Sequence, residues 1–235
     1  MPVDIKTVII HCKSLKERKE NVLQQMKKFG FGDYSFYEDF DGCELTQEII
    51  DQYCIRKQND PDGTEKKLAV YSSSAGVGIQ RYQELNIAEV SLAIKHGKVL
   101  QALSQIDAEY FLILEDDVLL CEDFDVHFPH FLSQTPADWD AIYIGSGANL
   151  KPHHSRLISG QVAYLMDHPA SRCLDSIVIK KSAACDIAST WFPFHMPSDW
   201  EISYQHYLHN HKVYWWEPSL VRQGSEYGMF KSALR

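Results

Sequence analysis

No apolar run in the chain approaches the roughly 20 residues that a membrane-crossing helix needs, so the expectation is no span and at most a peripheral membrane association. Met1 to Thr7 carries Asp4 and Lys6 and leads straight into a strand-like run. It has no basic stretch followed by an apolar one, so no secretory signal is expected there. Lys231 to Arg235 carries no retention or lipidation signature. Disulfide and zinc patterns are missing as well. The six cysteines are Cys12, Cys43, Cys54, Cys121, Cys173 and Cys185, and no two form a C-x-x-C pair. That predicts reduced thiols and a cytoplasmic chain. Positive charge is in short supply: 23 Lys and Arg stand against 32 Asp and Glu, a net charge of −9. An acidic chain makes a poor nucleic-acid binder. It can still hold a nucleotide through a metal ion. Repeats and low-complexity tracts are absent too.

What is present reads as one globular domain over 1–235. The 235 residues are 45% hydrophobic and 23% charged, enough to bury a sizeable core. Val8-Ile9-Ile10 predicts a buried strand. Ser14 with Glu17 three residues on makes a capping box, and Val22, Met26 and Phe29 continue at helical spacing to Gly30. Tyr34 to Phe40 is aromatic and strand-like, closed by Asp41-Gly42. A helix is predicted from Glu84 to Gln105. Tyr110 to Leu114 is apolar without alternation, as in a strand covered on both faces. A helix over Phe124–Leu132, strands over Trp139–Ile144 and Ser176–Ile179, a helix to Ser189, another from Pro197 to about His209, and a strand over Val213–Trp216 follow. The fold class is α/β: a single, mostly parallel twisted sheet flanked by helices. Residues 56–80, rich in Pro, Gly, Ser and charge, are expected to be a mobile loop or insert. Ala75-Gly76-Val77-Gly78 lacks the preceding strand and the following Lys-Ser/Thr of a phosphate loop.

Three carboxylates, Glu115-Asp116-Asp117, directly follow the buried strand. Ligands of open α/β sheets bind beyond the carboxyl ends of the strands. Carboxylates gathered there suit a hard divalent ion, and a solvated acidic turn is the competing account. Asp199, in Pro197-Ser198-Asp199-Trp200-Glu201, is either a helix cap or the base that takes a proton from an attacking hydroxyl. Ionisation of Asp199 is expected to be favoured by the helix N-terminus. Trp200 and Tyr214-Trp215-Trp216 are candidates for a sugar face or for core. His206, His209 and His211 lack a completing Cys or carboxylate for zinc and are expected at the surface.

In order along the chain, these pieces resemble glycosyltransferase family 25, the group of lipooligosaccharide and collagen galactosyltransferases. Ile10-His11-Cys12-Lys13-Ser14-Leu15-Lys16-Glu17-Arg18 stands where the family has a strand, Asn-Leu and a basic stretch ending in Asp-Arg. Asp41-Gly42 resembles its Asp-Gly. Ala88-Glu89-Val90-Ser91-Leu92-Ala93-Ile94-Lys95-His96 is similar to its Gly-Glu-Ile-Gly-Cys-Ala-Leu-Ser-His, retaining Glu89, Ala93 and His96. Leu112 to Val118 resembles its Leu-Glu-Asp-Asp core, with Trp139–Gly145, Ser176–Ala184, Pro197-Ser198-Asp199 and Pro218 to Gln223 in the family's order. His11, Ala88 and Ser91 depart from the pattern.

The resemblance implies a GT-A-like fold, a UDP-sugar donor (galactose or glucose), Mn²⁺ or Mg²⁺, and inversion at the anomeric carbon. It implies a glycan or glycosylated acceptor and a role such as lipooligosaccharide biosynthesis. On this reading Asp117 and Glu115 hold the metal, and Glu115 and Asp116 help with ribose or metal. Arg18, Glu89, His96 and Gln223 lie about the donor, and Asp199 is the base. Arg18 and Lys13 are candidates for donor phosphates or solvated helix charges. Two other readings stand beside it: a non-catalytic nucleotide-sugar or glycan-binding protein, and a metal-dependent hydrolase.

Overall fold

The computed structural model describes residues 5–56, 58–75, 84–147, 150–152, 154–157, 161–166 and 173–231. In chain order its elements are β1 (Lys6–Ile10), α1 (Lys16–Lys28), β2 (Tyr34–Tyr37), α2 (Gln47–Tyr53), α3 (Pro61–Ala75) and α4 (Ile87–Leu103). Then come β3 (Tyr110–Glu115), β4 (Val118–Leu120), α5 (Phe124–Gln134), β5 (Ala141–Tyr143), β6 (Ala163–Met166) and β7 (Ser176–Lys180). The chain continues through α6 (Lys181–Thr190), α7 (Ser198–Leu208), β8 (Val213–Trp216) and β9 (Val221–Gln223). No described helix is long and apolar enough to cross a membrane.

Seven strands form one sheet in the order β2-β1-β3-β7-β5-β8-β6. β1, β2, β3, β5 and β8 point one way, and β7 and β6 run against them. The fold is therefore α/β with a mostly parallel sheet. A separate ribbon pairs β4 with β9.

The apolar runs without alternation are explained by helices on both faces. Val8, Ile10, Phe111 and Ile113 pack with Val90, Ile94 and Leu100 of α4, Ile187 of α6 and Ile202 of α7. Ile9, Leu112 and Leu114 point the other way, into Val22 and Met26 of α1 and Phe124, Phe128 and Phe131 of α5. Successive strand residues feed opposite layers, so both sets must be apolar. Each fully buried aliphatic or aromatic side chain contributes about 1.5–3 kcal/mol.

Two local expectations need correction. Ser14 does not cap α1. Leu15 takes that position, its carbonyl accepting from Arg18 N at 3.0 Å, while the Ser14 hydroxyl turns to the Cys12 thiol at 3.2 Å. A tight turn from Cys12 to Leu15 satisfies the chain without a side-chain cap. At the other end Gly30 adopts φ +66° and closes the helix, with Phe31 N–H returning to Met26 O at 3.0 Å.

The second correction concerns 56–80. Much of it is helix α3, which begins at Pro61 behind Asp60. Asp60 Oδ1 accepts from Gly63 N at 2.9 Å, and Pro at a first helical position loses no hydrogen bond. α3 is docked through a buried ion pair, Lys67 Nζ to Glu201 Oε1 on α7 at 2.6 Å. Gly76, Val77 and Gly78 lie outside the described residues.

Candidate active site

β1 and β3 are parallel neighbours, and Ile10 pairs with Glu115 at their carboxyl ends. From β1 the chain moves to β2 on one side, while β3 lies on the other. The strand order thus reverses beside β1, and the crevice beyond such a switch point is where α/β sheets bind ligands. A cleft of about 350 Å³ opens there. Its walls are the β1 exit (Ile10, His11, Cys12), the start of α1 (Leu15, Arg18), Asp41–Cys43, the first turns of α4, Glu115–Asp117, and Gln223 with Ser225.

The three carboxylates have three different fates. Asp116 is saturated: Oδ2 meets His11 Nδ1 at 2.8 Å and accepts from Cys12 N at 3.2 Å, and Oδ1 accepts from Arg18 Nη1 at 2.8 Å. Burial opposes its charge, but these partners outweigh burial and hold its carboxyl below the usual range. Asp117 is different. Its carbonyl accepts from Gly224 N at 2.6 Å, and Arg18 Nη1 is 3.9 Å from Oδ2. Its Oδ1 is buried with no hydrogen-bond partner. Glu115 lines the cleft and also reaches a second group, its Oε1 3.3 Å from His96 Nε2. Burial, and then Asp117, Asp116 and Asp199, push the Glu115 carboxyl well above its ordinary range.

Behind Glu115 lies a second group. Burial pushes His96 down to about 3, against the pull of Asp199, so its ring is neutral at pH 7. Asp199, in the first turn of α7, accepts from Trp200 N at 3.0 Å through Oδ1. Burial raises it to about 6; Trp200 N–H and His96 work against this, and Glu89 adds to it. The expected lowering by the helix N-terminus is overturned, because desolvation exceeds the helix-end field here. Cys173 borders the same group, its thiol pushed up by burial and then by Asp199.

Of the residues singled out, Arg18, Glu115, Asp116, Asp117 and Gln223 line the cleft together. Glu89, His96 and Asp199 do not line it; they gather behind Glu115, which belongs to both groups. Glu89 also closes the capping box of α4, its Oε2 accepting from Asn86 N at 2.8 Å. Ala88 and Ser91, two departures from the family pattern, are on the cleft wall, and Ser91 Oγ donates to Phe40 O at 2.6 Å. Lys13 stays at the surface, paired with Glu44.

Sequence reasoning missed Lys95. It is 3% exposed, lines the cleft, and donates to His11 O and Asp41 Oδ1. A Lys inside the run Leu92-Ala93-Ile94-Lys95 was the available signal. The histidines are also corrected. His206 is 1% exposed, with Nδ1 3.1 Å from His211 Nδ1, and His211 Nε2 meets Asp186 Oδ2 at 3.3 Å. His206 is buried because α6 packs on α7 over that face, while His209 and His211 are half-buried. Tyr214, Trp215 and Trp216 are core.

The metal expectation can be tested against the donors present. Among the described residues no group of three His, Cys, Asp or Glu side chains is arranged around a metal position. Magnesium-type sites, however, use one or two carboxylates and complete the shell with substrate phosphates and water. The orphaned Oδ1 of Asp117 fits such a role. Asp116 does not, since each of its oxygens is taken.

No protein-family model and no curated protein matches the chain. Solved structures resemble it in chain path. One is A197 from STIV, 13% identical, TM-score 0.46, covering 90% of this chain and 81% of that one. Another is the inositol-1-phosphate CTP transferase from T. maritima, 10% identical, TM-score 0.42, covering 95% and 90%. A third is the galactosyltransferase LgtC in complex with donor and acceptor sugar analogs, 10% identical, TM-score 0.42, covering 93% and 86%. Similarity at this level says nothing of chemistry.

Proposed function

We propose that the protein is a GT-A-like inverting glycosyltransferase. It moves a hexose, galactose or glucose, from a UDP-sugar to a hydroxyl of a glycan or glycosylated acceptor. The observation that carries this reading is the division of labour at the end of β3. Asp116 is neutralised by Arg18, and Asp117 keeps one buried carboxylate oxygen unsatisfied on the cleft wall.

Charge in the cleft supports the same conclusion. Its cations, Arg18 and Lys95, are already paired with Asp116 and Asp41. A diphosphate therefore meets no unpaired cation among the described lining residues. A divalent ion, Mn²⁺ or Mg²⁺, held by Asp117 and Glu115 would supply Lewis-acid stabilisation of the departing diphosphate. The protein's own groups do the rest. Ile10, Ile87 and Leu92 offer an apolar wall to a nucleoside, with Gln223 and Ser225 beside it. Asp199 takes the proton as the acceptor oxygen attacks the anomeric carbon. The bond from that carbon to the diphosphate breaks, and the proton ends on Asp199. His96, neutral and bonded to Glu115, connects Glu115 to the group that holds Asp199.

A thermal-shift comparison tests this. UDP-galactose or UDP-glucose should raise the melting temperature more with Mn²⁺ than with chelator. Equal shifts, or none, would sink the proposal. The competing binding-protein reading is favoured by Ala88 and Ser91, which put the family's lost residues on the cleft wall itself. Slow hydrolysis of the donor without acceptor separates the two: a transferase leaks to water and a binding protein does not. Hydrolysis unaffected by added acceptors would instead mark a hydrolase.

A further inference from the structure

We infer that the segment from Gly224 to Lys231 is a latch that tunes the cation site, and that Phe230 is its positioning residue. This rests on the function proposed above. Arg18 contacts two things at once. Its Nη1 binds Asp116 Oδ1 at 2.8 Å, and its Nη2 donates to the carbonyl of Lys231. The guanidinium also sits over the Phe230 ring, 5.7 Å from the centroid. Arg18 thus spans from the carboxylates to the C-terminal segment, and its side chain is 8% exposed. A guanidinium held on an aromatic face loses little further freedom when it binds a carboxylate.

The same segment grips the neighbouring carboxylate through the backbone. Gly224 N donates to Asp117 O at 2.6 Å, and Met229 N returns to Gly224 O at 2.9 Å. Position 224 admits no side chain: a Cβ there would stand 2.9 Å from Asp117 O and 2.8 Å from the Phe230 ring. The β4–β9 ribbon brings the segment to this place, pairing Val118 with Gln223.

Asp116 and Asp117 are adjacent in sequence, yet only Asp117 has an oxygen to spare. That difference depends on where Arg18 points, and Arg18 is aimed by Phe230 and Lys231. With Phe230 removed, the guanidinium loses its platform. It then divides itself between Asp116 and Asp117, 3.9 Å away on Oδ2, and competes with a cation. The latch acts on the cation site and leaves the nucleoside wall of Ile10, Ile87 and Leu92 untouched.

The test is calorimetric binding of UDP to the full chain, with Mn²⁺ and separately with chelator, together with the electron paramagnetic resonance signal of bound Mn²⁺. In Phe230→Ala the Mn²⁺-dependent affinity should fall about tenfold, the scale of a partly desolvated cation–π contact. Binding in chelator should stay at the wild-type value. Phe230→Tyr keeps the platform and should restore the Mn²⁺ signal. Gly224→Ala, acting through the backbone, should weaken Mn²⁺ in the same way. If Phe230→Ala loses affinity equally in both conditions, the residue is merely structural and the inference fails. If Phe230→Ala binds Mn²⁺ and UDP like the wild type, it fails also. Absence of Mn²⁺-dependent binding in the wild type would instead overturn the proposed function, which keeps the two failures apart.

Discussion

Arg18 and Asp116 are 98 residues apart in the chain and meet at 2.8 Å with both side chains 8% exposed. Their pairing ties α1 to the end of β3. Breaking a buried pair by deleting one partner leaves an uncompensated charge, which costs about 3–5 kcal/mol. Arg18→Ala should therefore lower unfolding stability by that amount in urea at pH 7. Arg18→Lys should recover part of it, because an ammonium keeps the charge without the planar fork.

The pair also sets an acid limit. The folded carboxyl of Asp116 is held below its ordinary value, so the unfolded chain binds that proton more tightly. The resulting stabilisation is complete above the unfolded value of about 4 and is lost as pH falls through the folded one. Wild type should lose stability steeply below pH 4. In Arg18→Ala that component of the acid slope should shrink. An unchanged slope would show that Asp116 is not the titrating group.

The docking of α3 offers an independent test. Glu201 is fully buried, bonded by Lys67 Nζ at 2.6 Å, by Gln205 Nε2 at 3.2 Å and by His195 N at 3.1 Å. Glu201→Ala strands Lys67 and the His195 amide together. Limited proteolysis should then cut between 56 and 75 first, while the sheet core stays resistant. Cleavage spread evenly along the chain would mean that α3 is held by other contacts.

The strand runs and the carboxylate triplet were legible because burial on two faces demands uninterrupted apolar residues. A charge at the end of such a run has few places to go. Less legible was anything decided by competition. Asp60-Pro61 lies in the stretch expected to be a mobile loop or insert, yet it opens a helix, since loops and helix starts use the same residues. β6 is four residues of edge strand, Ala163–Met166, too short to declare a period. His206 looks like a surface histidine until α6 covers it. The partners of Asp116 come from the residues just after β1 and from α1, so no local pattern announces which of three adjacent carboxylates is free.

That free oxygen makes Asp117→Asn an informative variant. The amide keeps the shape and removes the charge that a hard cation needs. Thermal shift by UDP-sugar in Mn²⁺ should drop to the level seen with chelator. The melting temperature without ligand should move little, because Arg18 remains bound to Asp116. Retention of the Mn²⁺ increment would transfer the cation to Glu115.

Asp199 should show two effects of opposite sign. Its folded value is raised to about 6 by burial, above the ordinary value of about 4 for an unfolded aspartate. The folded state therefore binds the proton more tightly, and stability declines as pH rises from about 4 to 6. A neutral asparagine avoids this, so Asp199→Asn should melt higher than wild type at pH 7 and no higher at pH 4. Activity should move the other way. Only the ionised carboxylate accepts a proton, so wild-type turnover should climb with pH up to about 6 and then level off. Asp199→Asn should lose roughly 10²–10⁴-fold in kcat, the usual scale of a general base. Donor affinity should change little, because Asp199 lies outside the cleft walls. A variant that is more stable, binds donor normally and scarcely turns over would carry the signature of a base kept at the expense of stability. Full turnover in Asp199→Asn would remove it from the mechanism. Glu201, already committed to Lys67, could not replace it, and Glu89 would be the next carboxylate to test.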